Sequence, residues 1–188
     1  AQLGSRPTGR SFWLGGTACG TLLFLGFVFQ TAGLRYTSAS NSAFLTGLSV
    51  VIVPLLSSGL ARKRVGWAEW IACVLALSGT ALMTGLTRGA FNRGDLLTIC
   101  GALAFSVHII ALAHWSSRIG YEWLTLFQIV AVAVLSIATF WWVETPYFRL
   151  TPRLVGALFV TAALATALSF ALFTWAQRHT TATRTALL

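Results

Sequence analysis

Long apolar stretches separated by short charged clusters dominate the pattern of this chain. Six stretches of 18 to 26 residues carry no charged side chain, and they are residues 11–34, 36–61, 70–87, 96–117, 123–143 and 154–177. An α-helix needs about 20 apolar residues to cross the hydrocarbon layer, and it satisfies its own backbone hydrogen bonds there. The alternating polarity of membrane β-strands is absent from these stretches. The pattern therefore predicts an all-α polytopic membrane protein with six transmembrane helices.

Composition excludes the main soluble alternatives. The 188 residues are 56% hydrophobic and only 9% charged, whereas a soluble domain has about 25% charged residues. Such a chain can be neither an ordinary soluble enzyme nor a disordered segment. The eight tryptophans lie near the ends of the predicted spans, which is typical of the aromatic belts at a membrane surface.

The net charge of +9 comes from clusters that flank the spans. No basic stripe follows a helix, so we expect no nucleic-acid partner. One side of the predicted topology has eight Lys and Arg residues and includes Arg62-Lys63-Arg64, and the other side has five. The positive-inside rule predicts that the Arg62-Lys63-Arg64 loop is cytoplasmic. We expect an integral protein of the plasma membrane or the bacterial inner membrane.

Small residues recur at four-residue spacing in three spans, and they predict close helix packing. The first span has Gly16 and Gly20. The third and sixth spans have the triplets Ala72, Ala76, Thr80 and Thr161, Ala165, Ser169.

An internal repeat has an offset of 143 residues. Residues 27–45 align without a gap to residues 170–188, with seven identities that include Phe27/Phe170 and Arg35/Arg178. The first span thus matches the sixth, so the repeat unit has five helices and its two copies cross the membrane in opposite directions. Inverted repeats are typical of secondary transporters. We expect a parent of ten helices and roughly 280–300 residues, of which this chain carries helices three to eight and a stub of the ninth.

Several segments together resemble the EamA-type proteins of the drug/metabolite transporter superfamily. They are residues 30–48, Val53-Pro54-Leu55 with the basic loop and Trp67, Gly94-Asp95-Leu96-Leu97 with residues 104–108, and residues 165–178. The resemblance implies a ten-helix carrier of small metabolites or drugs, often an exporter. Residues 1–87 would be the C-terminal part of the first EamA repeat, with three helices. Residues 88–188 would be the N-terminal part of the second, with three helices and the start of a fourth.

Polar residues inside the spans are the candidates for a substrate path, because such groups are costly in lipid unless they have a partner or a water-filled cavity. Pro54 belongs with them, because it leaves the Val50 carbonyl without its helical partner, and broken helices often mark binding regions in carriers. A plain kink is the alternative. The candidates are Gln30, Asn41, Ser42, Thr46, Ser49, Pro54, His108 and Gln128. The acidic residues Glu69, Asp95, Glu122 and Glu144 lie at span ends, so they identify no buried proton carrier, and the coupling ion stays open.

Other classes of function have less support. No catalytic motif, phosphate-binding loop or paired carboxylates occur, so we expect no enzyme and no cofactor. Cys19, Cys73 and Cys100 lack metal-ligand or disulfide spacing and are expected to be packing residues, with no metal site. The alternative to a carrier is a non-transporting membrane scaffold or a truncated remnant, in which each polar group is satisfied locally. Expected partners are a small-molecule substrate and the lipid bilayer, and homo-oligomer formation stays open.

Overall fold

The computed structural model describes residues 9–61, 66–84, 91–143 and 150–186. The Arg62-Lys63-Arg64 loop lies outside the described residues. Within them the chain is helical, and the elements are α1 (Arg10–Gly33), α2 (Ala39–Gly47), α3 (Ser49–Ala61), α4 (Trp67–Thr84), α5 (Arg93–Ser116), α6 (Tyr121–Val143), α7 (Pro152–Phe159), a π-helical segment (Val160–Leu168), α8 (Ser169–His179) and α9 (Ala182–Ala186). The predicted all-α polytopic class is confirmed.

Among the described residues, five helical segments are long and apolar enough to cross a membrane. They are Phe12–Gly33, Ala39–Gly59, Arg93–Ser116, Tyr121–Trp141 and Pro152–His179. The predicted third span corresponds to α4, whose apolar part in the described residues is the shorter Trp67–Leu82. The structure thus supports five of the six predicted spans by length and hydropathy.

The distribution of polarity is the reverse of that in a soluble protein. Twelve polar or charged side chains and eight hydrophobic ones are buried among the described residues. Large apolar side chains such as Leu82, Ile137 and Trp141 face outward. Because soluble proteins bury apolar groups and expose polar ones, this arrangement is that of a bundle whose surroundings are lipid.

Helix α5 lies at the centre of the bundle and contacts α1, α2, α3, α6, α8 and α9. Its seam with α1 brings two backbones together at Gly33 and Gly94, where a Cβ on Gly94 would lie 2.6 Å from the Gly33 carbonyl oxygen. Gly16 and Gly20 face Phe127 and Ala131 of α6. The close packing predicted for this glycine pair is confirmed.

The second span is irregular at Leu48, between α2 and α3, where the backbone stays right-handed helical (φ −59°, ψ −20°) but the turn is tightened. Pro54 lies inside α3 without interrupting it. The Val50 carbonyl, which lacks a partner within the helix because proline has no N–H, accepts a hydrogen bond from the Cys73 thiol of α4 at 3.3 Å. Cys73 is therefore buried as expected and also satisfies a backbone group.

Candidate functional site

A cavity of about 530 Å³ lies between α1, the α2–α3 junction, α5, the π-helical segment and α8. Its volume falls within the range of small-molecule sites. Much of the wall is apolar, with four phenylalanines, Phe27, Phe105, Phe170 and Phe173, and with Leu23, Ile109 and Ala165. The polar lining residues are Thr46, Ser49, His108, Thr161, Thr166 and Ser169.

Two predicted path residues, one on each side of Leu48, lie in this wall. Thr46 is in the last turn of α2 and Ser49 begins α3, and both line the cavity. Behind Thr46, the Gln30 side chain of α1 donates from Nε2 to Thr46 Oγ1 at 3.1 Å. Gln30 is therefore linked to the wall through Thr46 and is not among the lining residues themselves.

The π-helical segment forms the opposite part of the wall. Thr166 Oγ1 donates to the Thr161 carbonyl at 2.9 Å, and Ser169 Oγ donates to the Leu164 carbonyl at 3.1 Å. Both bonds run five residues back, as the wider π-helical turn requires. The predicted packing of Thr161, Ala165 and Ser169 against another helix is not seen in the described residues, because these side chains face the cavity.

His108 is the only lining residue with an ionisable side chain among those described, and it is 2% exposed. Its Nδ1 lies 3.0 Å from the Cys19 carbonyl oxygen. A carbonyl oxygen only accepts hydrogen bonds, so Nδ1 carries the proton and Nε2 of the neutral ring is an acceptor. Within the described part of the chain, Nε2 is buried and has no hydrogen-bond partner.

The other four sequence candidates lie away from the cavity wall. Asn41 donates to Thr37 Oγ1 and to Asp95. Ser42 Oγ lies 3.4 Å from Thr98 Oγ1, and Gln128 Nε2 lies 3.3 Å from Thr174 Oγ1. Pro54 is buried inside α3. The structure thus places Thr46, Ser49 and His108 in one wall with Gln30 behind it, and Asn41, Ser42, Pro54 and Gln128 at helix contacts or within a helix.

Asp95 is a buried acid that sequence reasoning did not single out. It is 4% exposed, and its carboxylate accepts from Thr37 Oγ1 at 2.6 Å, from Asn41 Nδ2 and from the Asn92 backbone N–H at 3.0 Å. The Asn92 side chain accepts in return from the Asp95 backbone N–H at 3.1 Å, which completes a capping box. This Asp95 cluster ties the start of α5 to the α1–α2 turn and the first turn of α2.

A second polar link joins α4 and α9. Arg184 Nε lies 3.4 Å from Glu69 Oε1, with side chains 69% and 22% exposed, so solvent screening makes the pair weak. Asp95 lies beside the start of α2, whereas Glu69 follows the end of α3. The two links therefore lie at opposite ends of the α2–α3 span.

The four phenylalanines of the wall were also missed. In a chain with 13 phenylalanines, single members do not stand out by pattern. The 143-residue offset of the repeat could have identified two of them, because it pairs Phe27 with Phe170 and both line the cavity. The same offset pairs Leu23 with Thr166, which are lining residues as well.

Local geometry agrees with the repeat at one further pair. Ser38 caps α2 by accepting from the Asn41 backbone N–H at 3.1 Å. At the offset of 143, Thr181 accepts from the Arg184 backbone N–H at 3.4 Å and precedes α9. The turn after the first span and the turn after the sixth thus use a hydroxyl in the same way.

The described residues contain no cluster of side chains that could ligate a metal ion. No group of three or more His, Cys, Asp or Glu side chains there could hold an ion, and the three cysteines are free thiols. The chemistry of the site therefore consists of aromatic surface, hydroxyl groups and one imidazole.

The chain is similar to a family of transporters, to a protein of known sequence and to a solved structure. Residues 3–85 match the model of the EamA-like transporter family. The chain is 31% identical over 173 residues to a protein of Archaeoglobus fulgidus described as an uncharacterized transporter, and the match covers 92% of this chain and 55% of that protein. The chain thus spans about half the length of this relative. A protein crystal structure superposes with a TM-score of 0.73 at 16% identity, covering 98% of this chain and 74% of that one, which shows a shared fold.

Proposed function

Because the chain belongs to the EamA-like transporter family, we propose that it forms part of a secondary carrier that moves small organic solutes across the membrane. The proposed direction is export across the plasma membrane or the bacterial inner membrane, with the Arg62-Lys63-Arg64 loop cytoplasmic. The proposed substrate site is the cavity between α1, α5 and the sixth span.

The observation that carries this proposal is the lining of the cavity by equivalent positions of the repeat. Leu23 and Phe27 of the first copy face the same space as Thr166 and Phe170 of the second. In carriers built from inverted repeats, substrate sites lie between the two copies and near the middle of the membrane. We accordingly propose residues 1–87 and 88–188 as parts of two five-helix repeats in a ten-helix protein.

Alternating access requires the two ends of the bundle to open in turn, and each end of the α2–α3 span has a polar link. In the first half of the proposed cycle, the Asp95 cluster holds one end of the bundle closed while the Glu69–Arg184 pair separates at the other end. In the second half, the Glu69–Arg184 pair forms again and the Asp95 cluster separates. The tightened turn at Leu48 and the π-helical segment, both beside the cavity, are the proposed points of bending, since irregular helix geometry often accompanies functional sites.

Filling the cavity tests this proposal. Replacing Ala165, a lining residue, with tryptophan is expected to lower the initial rate of solute exchange in proteoliposomes by about tenfold or more, because the indole occupies the substrate volume. The measurement uses the complete protein and a panel of radiolabelled amino acids and aromatic amines.

Ala167 provides the matched control, because it is an exposed alanine of the same π-helical segment and does not line the cavity. Ala167→Trp should keep the exchange rate within about twofold of the wild type. A wild-type protein that exchanges no member of the panel, or an Ala165→Trp variant as active as the wild type, would contradict the proposal.

A further inference from the structure

The main polar groups that the cavity wall offers to a ligand are hydroxyls, which are uncharged. They belong to Thr46, Ser49, Thr161, Thr166 and Ser169. A hydroxyl oxygen can accept a hydrogen bond even where its own hydrogen is donated to a backbone carbonyl, as in Thr166 and Ser169. His108, the remaining polar residue of the described lining, is only 2% exposed, so it offers little surface. The wall therefore suits a ligand with a small uncharged polar group.

Among the described residues, charged side chains lie at helix ends, away from the cavity wall. No Lys, Arg, Asp or Glu occurs among the described lining residues. Asp95 and Glu122 are in the first turns of α5 and α6, and Arg178 is in the last turn of α8. An ion that enters such a cavity loses its hydration without gaining a counter-charge, whereas an uncharged molecule has no such cost. The wall therefore selects against ions and zwitterions.

Aromatic side chains form a large part of the same wall. Four phenylalanines of three helices line the cavity and retain exposed surface, and they are Phe27, Phe105, Phe170 and Phe173. The rings of Phe27 and Phe105 form an edge-to-face pair with centroids 5.5 Å apart. Aromatic rings gain from edge-to-face or offset contacts with other rings, beyond the area that they bury. A planar aromatic body therefore fits this wall better than a saturated body of the same size.

We infer that the cavity binds uncharged aromatic molecules that carry a small hydrogen-bonding group, such as an aryl alcohol, a phenol or an aromatic amide. This inference rests on the proposed carrier function and names the class of its substrate. The phenylalanines contact the ring system, and the hydroxyl residues of the wall contact the polar group. Of the solutes proposed for the exchange assay, aromatic amines such as aniline are uncharged at neutral pH and belong to this class, whereas amino acids do not.

Three naphthalene derivatives with one skeleton test the selection by charge. At neutral pH, 2-naphthylmethanol is uncharged, 2-naphthylmethylamine is a cation and 2-naphthoate is an anion. Binding is measured by isothermal titration to the complete protein in nanodiscs of zwitterionic lipid, with protein-free nanodiscs subtracted. We expect the wild type to bind the alcohol at least about 30-fold more tightly than either ion, because each ion is desolvated without a counter-charge.

Two comparisons assign this binding to the cavity and to its aromatic surface. Ala165→Trp fills the cavity and should abolish saturable binding of the alcohol, whereas Ala167→Trp, outside the lining, should keep it. The fully saturated analogue of the alcohol has the same polar group without aromatic rings. We expect the wild type to bind this analogue at least about threefold more weakly than the alcohol.

Ser169→Asp is a gain-of-function test. It adds a carboxylate to the lining, so the cation acquires a counter-charge and its affinity should rise by about tenfold or more. Ser169→Asn is the matched control, because it replaces the same hydroxyl with an uncharged side chain of the size of aspartate. It should not raise the affinity for the cation. The wild-type comparison of the three probes does not depend on the folding of either variant.

Four results would overturn the inference. They are wild-type binding of an ion as tight as that of the alcohol, binding of the alcohol that survives in Ala165→Trp, a saturated analogue that binds as tightly as the alcohol, and a folded Ser169→Asp variant without a gain for the cation. Exchange of amino acids without binding of the alcohol would overturn this inference alone. Binding of the alcohol without exchange of any solute would count against the carrier function and leave the binding site supported.

Discussion

Gly94→Ala is expected to destabilise the folded protein by about 3 kcal/mol or more. A Cβ at this position would lie 2.6 Å from the Gly33 carbonyl oxygen and 2.7 Å from the Thr37 backbone nitrogen. Both atoms belong to backbone that cannot rotate away as a side-chain end could, so α1 and α5 would have to separate along their seam. The Asp95 cluster depends on the same approach, because Thr37 is one of its donors.

The free energy of unfolding of Gly94→Ala is best measured in mixed detergent micelles beside Gly79→Ala. Gly79 lies within α4 and has no heavy atom within 4 Å of an added Cβ. Alanine favours a helix over glycine by about 0.5–1 kcal/mol, so this control should be neutral or slightly stabilising. Equal effects of the two substitutions would show that α1 and α5 do not pack at Gly94 as described.

Asp95→Asn is expected to destabilise the protein by about 2 kcal/mol. The carboxylate accepts from Thr37, Asn41 and the Asn92 backbone N–H, whereas an asparagine amide has one acceptor oxygen and a donor nitrogen that would face a donor. The negative charge in the first turn of α5 also favours the helix dipole, and that contribution is lost. The measurement is the urea or thermal unfolding midpoint of the purified protein.

Two further variants isolate this effect. Glu122→Gln removes a negative charge from the first turn of α6 at an exposed side chain and should change stability by about 0.5 kcal/mol or less. Asn41→Asp combined with Asp95→Asn restores an amide facing a carboxylate and should recover part of the loss. A double variant less stable than Asp95→Asn alone would contradict the described pairing.

The spans could be predicted from the sequence because lipid imposes a strict rule on length and charge. A charged residue interrupts an apolar stretch wherever the chain leaves the hydrocarbon layer, so the intervals between charges approximate the helices. The α1 and α6 helices match their predicted spans to within two residues at each end. The irregularity at Leu48 was not predicted, because attention to Pro54 passed over Gly47, a poor helix former that directly precedes Leu48.

The second span is irregular at Leu48 and not at Pro54, the residue to which the sequence drew attention. Proline does remove the hydrogen-bond partner of the Val50 carbonyl, but Cys73 replaces it from another helix. Cys73 lies 23 positions after Val50. The hydrogen bond between them forms only when α3 and α4 pack together, so the local sequence around Pro54 does not indicate it. The helix consequently continues through Pro54, where the sequence left a broken helix and a plain kink open.

Some of the sequence candidates coincide with the cavity lining for a similar reason. Polar residues within spans are rare enough to be conspicuous, and Thr46, Ser49 and His108 were found in this way. Whether a polar residue of a span lines the cavity or contacts another helix depends on which helix faces pack together. Ser42 and Gln128 form hydrogen bonds to neighbouring helices. Asp95 was grouped with acids at span ends because its partners Thr37 and Asn41 are distant in sequence.

Access to the cavity from both sides of the membrane is the most direct test of the carrier account. The complete protein, with all native cysteines replaced, receives a single cysteine at Ser169, a lining residue, or at Ser106, a fully buried residue of α5. Each variant is treated with a membrane-impermeant thiol reagent in right-side-out and in inside-out vesicles. Alternating access predicts that Ser169→Cys reacts from both faces and that Ser106→Cys reacts from neither. Reaction of Ser169→Cys from one face only, or from neither, would contradict the account.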